Sequence, residues 1–111
     1  MKEDTVYLRH IRECIRRIEE DVAGGREEFM GSHTIQDAVL RNLQTMAEAT
    51  QRLSDAAKAT RPEVEWRAIA ALRNVLVHDY LGADLENIWQ IVQRDVPGLK
   101  CGVLAMLKGG A

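Results

Sequence analysis

Apolar residues recur along most of the chain at alternating spacings of three and four, as on helices with one face turned to a core. Between Asp4 and Val22 the stripe is Leu8, Ile11, Ile15, Ile18 and Val22. Asp4 is placed as its N-cap. Gly24-Gly25 ends it, because glycine takes the left-handed conformation of a helix C-terminus at little cost. Arg26 to His33 reads as a connector that tucks Phe29 and Met30 into the core. Thr34 opens a second helix, with Asp37 three residues on in a capping-box-like arrangement. Ile35, Val39, Leu43, Met46, Thr50 and Leu53 mark its buried stripe, to about Ala57. A third start follows at Thr60-Arg61-Pro62-Glu63, where a cap-type threonine, an early proline and a later glutamate agree. Trp66, Ile69, Leu72 and Leu76 form its apolar face, until Gly82 breaks the helix. Asp84 caps a fourth helix with Leu85, Ile88, Val92 and Val96 inward. Pro97-Gly98 stops or kinks it, and Leu99 to Lys108 forms a short last helix. No strand-type alternation occurs. The pattern predicts an all-α fold: an antiparallel four-helix bundle with a short extra C-terminal helix.

The 111 residues fit a single domain, 1–111, whose core is modest, so pairing with a second subunit would add buried surface. A net charge of -2 with 29% charged residues is an ordinary surface, not the basic footprint of a general DNA binder. The cations are mostly arginine, eleven against four lysines, and arginine forks suit local phosphate binding. Aromatics at 5% argue against a base-stacking platform. Two cysteines, Cys14 and Cys101, make neither a disulfide framework nor a zinc spacing. Residues Met1 to Asp4 carry no apolar signal region, and no apolar run approaches a membrane span. The expectation is a cytoplasmic protein with reduced thiols and no membrane partner.

Within the third helix and its end, Arg73, Asn74, His78, Asp79 and Tyr80 fall inside eight residues. These types suit phosphodiester chemistry. Histidine moves a proton to or from a hydroxyl near neutral pH. Arginine grips a phosphate and stabilises added transition-state charge. An amide positions the same phosphate or caps the second histidine nitrogen. On an ideal helix Arg73 and Tyr80 are about 20° apart and Asn74 and His78 about 40°, but Arg73 and His78 are about 140° apart. Arginine reach, a distorted helix end or a second subunit would close that gap; a two-fold cleft between identical third helices brings two Arg and two His together. Each residue also has an ordinary reading: His78 as a solvated side chain, Arg73 paired with a glutamate, Tyr80 as core. Spacing alone favours the ordinary reading. His10 and His33 have no ligand-spaced partner, and Arg9, Arg12 and Arg16 share a helix-one stripe with glutamates nearby, as on a mixed solvated face.

Arg73-x4-His78-x-Tyr80 resembles the R-x4-H-x-Y signature of the HepT-like branch of the HEPN superfamily. The approach to it, Pro62-Glu63-Val64-Glu65-Trp66-Arg67-x-Ile69-x-x-Leu72-Arg73-Asn74, resembles that family's P-x-I-x-W-x-x-I-x-x-x-R-N. Ile88-Trp89, Gln36-Asp37-Ala38-Val39-x-Arg41-x-Leu43 and Tyr7-Leu8 with Ile11 resemble its other helices, so the likeness runs to about Leu99. Departures are small: Val64 for isoleucine, Leu72 where methionine is common, and Ala47 where glycine often precedes Glu48-Ala49.

The resemblance implies a four- or five-helix bundle that dimerises through its motif helices and cleaves RNA without a metal or other cofactor. It implies that Arg73 and His78 are catalytic and promote attack of an RNA 2'-hydroxyl on the adjacent phosphate, with Asn74 and Asp79 in support. It further implies a toxin paired with an MntA-type nucleotidyltransferase antitoxin that adds AMP to Tyr80. The assembly would be a homodimer, or a higher oligomer with the antitoxin. The competing expectation is a non-catalytic HEPN protein that binds a nucleotidyltransferase or a nucleotide.

Overall fold

The computed structural model describes the backbone of residues 2–78 and 84–110, and the side chains of residues 3–72 and 84–109. These residues form six helices: α1 (Lys2–Asp21), α2 (Arg26–Gly31), α3 (His33–Gln51), α4 (Asp55–Ala59), α5 (Trp66–His78) and α6 (Leu85–Gly110). The four long ones, α1, α3, α5 and α6, carry the apolar stripes read from the sequence, and no strand occurs among the described residues.

The core is a single cluster. Ile11, Ile15 and Ile18 of α1 meet Val39, Leu43 and Met46 of α3, Ile69 of α5, and Leu99 and Val103 of α6, all at most 2% exposed. α3 packs on both α1 and α5, and α6 lies along α1. Burial of side chains this size stabilises by roughly 1.5–3 kcal/mol each, which offsets the conformational entropy of ordering short connectors. Thr50, also buried, donates its hydroxyl to the Ala47 carbonyl at 2.7 Å, so the polar atom within the stripe is satisfied.

Four local differences from the sequence pattern have physical causes. The connector after Gly25 is a helix, α2, which sets Phe29 in the core at 0% exposed. Gly25 itself has φ +94° and ψ -179°, a backbone other residues rarely adopt; it is not the left-handed C-terminal conformation expected for α1 but the N-cap position of α2. Ser32, not Thr34, caps α3: its hydroxyl accepts from the Ile35 N–H at 3.2 Å. The second stripe is cut at Arg52–Ser54, where Ser54 caps the separate short α4 by accepting from the Ala57 N–H at 3.1 Å. Finally, Pro97-Gly98 does not stop the last helix, and α6 continues through it to Gly110. Val96, Leu99, Val103 and Met106 are all buried, so the apolar register crosses the proline unbroken and core packing outweighs its lost hydrogen bond. The expected short last helix is therefore the second half of α6.

Asp84 behaves as the sequence suggests: its Oδ1 accepts from the Glu86 and Asn87 N–H groups at 3.1 and 3.3 Å, capping α6. Asp4 does not cap α1. It lies inside the first turn, 6% exposed, and its two oxygens accept from the Ser54 N–H and the Ser54 hydroxyl, both at 2.8 Å.

Candidate active site

The residues singled out by the motif fall on the second half of α5 and just beyond it. Arg73, Asn74 and His78 are helical positions of α5, and their side chains lie outside the described residues. Asp79 and Tyr80 lie wholly outside them.

Helix α5 starts at Trp66, whose indole N–H donates to two carbonyls, Lys58 at 3.1 Å and Arg61 at 3.0 Å. Both carbonyls also accept backbone N–H groups in the turn after α4, Lys58 from Arg61 at 3.1 Å and Arg61 from Val64 at 3.2 Å, so the indole joins the bonds that close the chain between α4 and α5. Inside that turn Val64 is buried against α6, where the backbone approaches it closely: a Cβ at Gly102 would lie 2.4 Å from Val64 Cγ2. Ile69 and Leu72 face inward at 2% and 5% exposed. Both the axial position and the rotation of α5 are thus set before the motif begins.

Register follows from this frame. Arg67 and Ala71 are exposed, and positions 74 and 78 continue their line one heptad later, within about 20°. Position 73 continues the line of half-buried Trp66. Because α5 is helical through His78, positions 73 and 78 stand about 140° apart around the axis and about 7.5 Å along it. One helix alone therefore turns the two positions to different sides.

Beyond the motif, α6 opens against α2. Arg26 pairs with Glu86 across 60 positions of sequence, and this donor holds the Glu86 carboxyl below its ordinary range. The rings of Phe29 and Trp89 meet at 5.4 Å with planes 38° apart. The arginine stripe of α1 is mixed, as its glutamates suggested. Arg16 pairs with Glu13 and Glu20, and Arg17 with Glu13, whose carboxyl is pushed down to about 2 chiefly by Arg16. A cleft of about 420 Å³ opens between α1, α4 and the end of α6, and one of about 280 Å³ between α1 and α6. Neither is lined by any described residue of α5. Among the described residues, no three His, Cys, Asp or Glu side chains converge as metal ligands would, and no helix is long and apolar enough to cross a membrane.

Sequence reasoning placed Trp66 on the apolar face but missed its anchoring role. The missing signal was the end of α4, which sets where the accepting carbonyls lie. It also missed the Asp4–Ser54 contact, which joins residues fifty positions apart.

Comparison with known proteins agrees with this architecture. The family model described as Ribonuclease HepT-like matches residues 11–105. A protein of Thermococcus cleftensis named "Probable ribonuclease HepT" is 37% identical over 95 residues, covering 85% of this chain and 86% of that protein. Two further relatives carry "putative RNase" in their names. That of Caldanaerobacter subterraneus is 30% identical over 109 residues and covered over 97% of each chain. That of Methanocaldococcus jannaschii, which is also named a gamma-glutamylcyclotransferase, is 33% identical over 108 residues. The match covers 96% of this chain but only 49% of that relative, so the chain spans about half its length. No solved structure matches the chain. With the family model matched over most of its length, the chain belongs to the HepT-like ribonuclease family.

Proposed function

We propose that this chain is the toxin of a cytoplasmic toxin–antitoxin pair, a metal-independent endoribonuclease that works at a cleft between two copies. The observation that carries the reading is Arg73-x4-His78-x-Tyr80 on and just beyond α5, in a chain of the HepT-like ribonuclease family. In this reading His78 takes the proton of an RNA 2'-hydroxyl as its oxygen attacks the adjacent phosphorus. The P–O5' bond breaks, and the proton passes to the departing oxygen. Arg73 holds the phosphate and offsets the charge that builds on its oxygens. Asn74 orients the phosphate or the imidazole, and Asp79 supports them. The separation of about 140° between positions 73 and 78 favours a paired site, in which each copy supplies the group that the other turns away.

Silencing belongs to the same reading. An MntA-type nucleotidyltransferase joins the Tyr80 phenol oxygen to the α-phosphorus of ATP, pyrophosphate leaves, and the phenol proton passes to solvent. The added AMP is a bulky anion that obstructs RNA and competes for Arg73.

The test is cleavage of a defined RNA by purified wild type, His78→Ala and Arg73→Ala, each with and without EDTA. Wild type should cut in both conditions, and each variant should lose at least about 100-fold in rate. Equal cleavage by wild type and His78→Ala would overturn the reading. In a second arm, co-expression with the nucleotidyltransferase should add adenylyl mass to wild type and none to Tyr80→Phe.

A further inference from the structure

We infer that Asp4 is a positioning residue for the motif helix, acting on α5 from the first turn of α1 through Ser54, α4 and Trp66. The inference concerns the site proposed above and rests on that reading for its catalytic part.

The connection can be followed bond by bond. Asp4 sits in the first turn of α1, where a carboxylate commonly turns to the N–H groups of its own helix. Instead both oxygens engage Ser54, one on its N–H and one on its hydroxyl, each at 2.8 Å. The same Ser54 oxygen accepts from Ala57 N–H at 3.1 Å, and the Ser54 carbonyl accepts from Lys58 N–H at 3.1 Å. Ser54 is thereby held in the orientation that caps α4. At the other end of α4, Lys58 and Arg61 present their carbonyls to the Trp66 indole at 3.1 and 3.0 Å. Each link is a hydrogen bond or a single helical turn, so little slack accumulates between Asp4 and α5.

The endpoint explains why such a link bears on chemistry. Position 73 lies one heptad beyond Trp66, about 20° from it around the axis. The indole therefore anchors the very line of α5 on which Arg73 stands. Helix α4 has only five residues and no buried side chain, so packing does little to hold it. Its place depends on its caps, and its first cap depends on Asp4. Loss of the carboxylate would let α4 shift, and a shift at Trp66 passes along a rigid helix to positions 73 and 78. Displacement of about 1 Å in a catalytic group costs on the order of 100-fold in rate.

The experiment compares wild type, Asp4→Ala, Asp4→Asn and Ser54→Ala with Ile18→Val, a core change at the far end of α1. Two quantities are read: hydrogen exchange of the Trp66 indole N–H by NMR, assigned with Trp89→Phe, and kcat with KM on a short RNA. Asp4→Ala and Ser54→Ala should speed the indole exchange about tenfold and lower kcat by at least about tenfold, with KM little changed. Asp4→Asn keeps one acceptor oxygen and should fall between. It also carries the test if Asp4→Ala does not fold. Ile18→Val should move neither quantity. Unchanged indole exchange in folded Asp4→Ala overturns the inference, as does an equal effect from Ile18→Val. Faster exchange with unaltered kcat overturns the positioning role. If wild type cuts no RNA, the functional reading falls, and the exchange ratio alone decides whether Asp4 governs Trp66.

Discussion

Two carboxylates show how little a shifted pKa says without its surroundings. Glu13 is held near 2 by Arg16 and Arg17, yet all three lie on the open face of α1, where solvent screens the pairs and their net worth is small. Asp4 is also held below its ordinary range, first by the Ser54 N–H and then by the Ser54 hydroxyl, but it is buried in the fold. Losing it leaves the Ser54 donors without an acceptor, a cost of about 1–3 kcal/mol. The sign of the pH dependence follows from the direction of the shift. The folded carboxyl is more acidic than the unfolded one, whose pKa is about 4. Its contribution is complete above that value and is lost as pH falls through the folded pKa. Denaturant titrations should therefore find Asp4→Ala less stable than wild type at pH 7, with the gap closing below about pH 4. A gap that persists unchanged at pH 2 would mean that Asp4 acts through packing rather than charge.

Among the elements, the turn between α4 and α5 lies close against the backbone of α6, with Val64 beside Gly102. Alanine in place of a helical glycine ordinarily stabilises by about 1 kcal/mol. At Gly102 the sign should reverse, because the new methyl would meet Val64 Cγ2 at 2.4 Å and Val64 has no long flexible end to move. Gly102→Ala should cost about 1–3 kcal/mol, while Gly98→Ala, with open space around it, should not. Thermal melts of the two variants check this. The same elements show what could be read in advance. The long stripes of α1, α3, α5 and α6 were legible because each repeats its apolar spacing over several turns. Helices α2 and α4 were not, since five or six residues give no period, and both rest on tertiary contacts and caps. Pro97 misled because its local rule is strong, whereas the buried register that overrides it is visible only when all of α6 is seen together. At the candidate site, Arg73, Asn74 and His78 fall on α5 as their spacing implied. That the helix is pinned at Trp66 depends on where α4 stops, which no stripe encodes.

For the whole molecule, the proposed shared cleft requires two copies to meet along α5. The described chain measures 41 × 26 × 21 Å, with α6 running close to its full length. Positions 67, 71, 74 and 78 fall on one line of α5, and the first two are exposed. A homodimer with this line on one flank of the interface and position 73 on the other is the assembly that fits the proposed chemistry. Light scattering at micromolar concentration should report twice the 12.5 kDa chain mass, and Ala71→Arg should return it to one chain without loss of helix content. A monomer in wild type would argue against the shared cleft. An unaltered dimer in Ala71→Arg would place the interface on another face.

The cleft of about 420 Å³ has a consequence for the connectivity of the chain. Asp4 and Thr5 line it from α1, and Gly109 lines it from the last turn of α6, so the first and last described turns face one another across a single opening. A short glycine-rich linker would span that distance and join the two ends into a ring. New ends could then be opened at Gly24-Gly25, where the backbone already turns and both residues lie off the core. In such a rearranged chain α6 and α1 become neighbours in sequence as they are in space. Every helix that frames the motif keeps its partners.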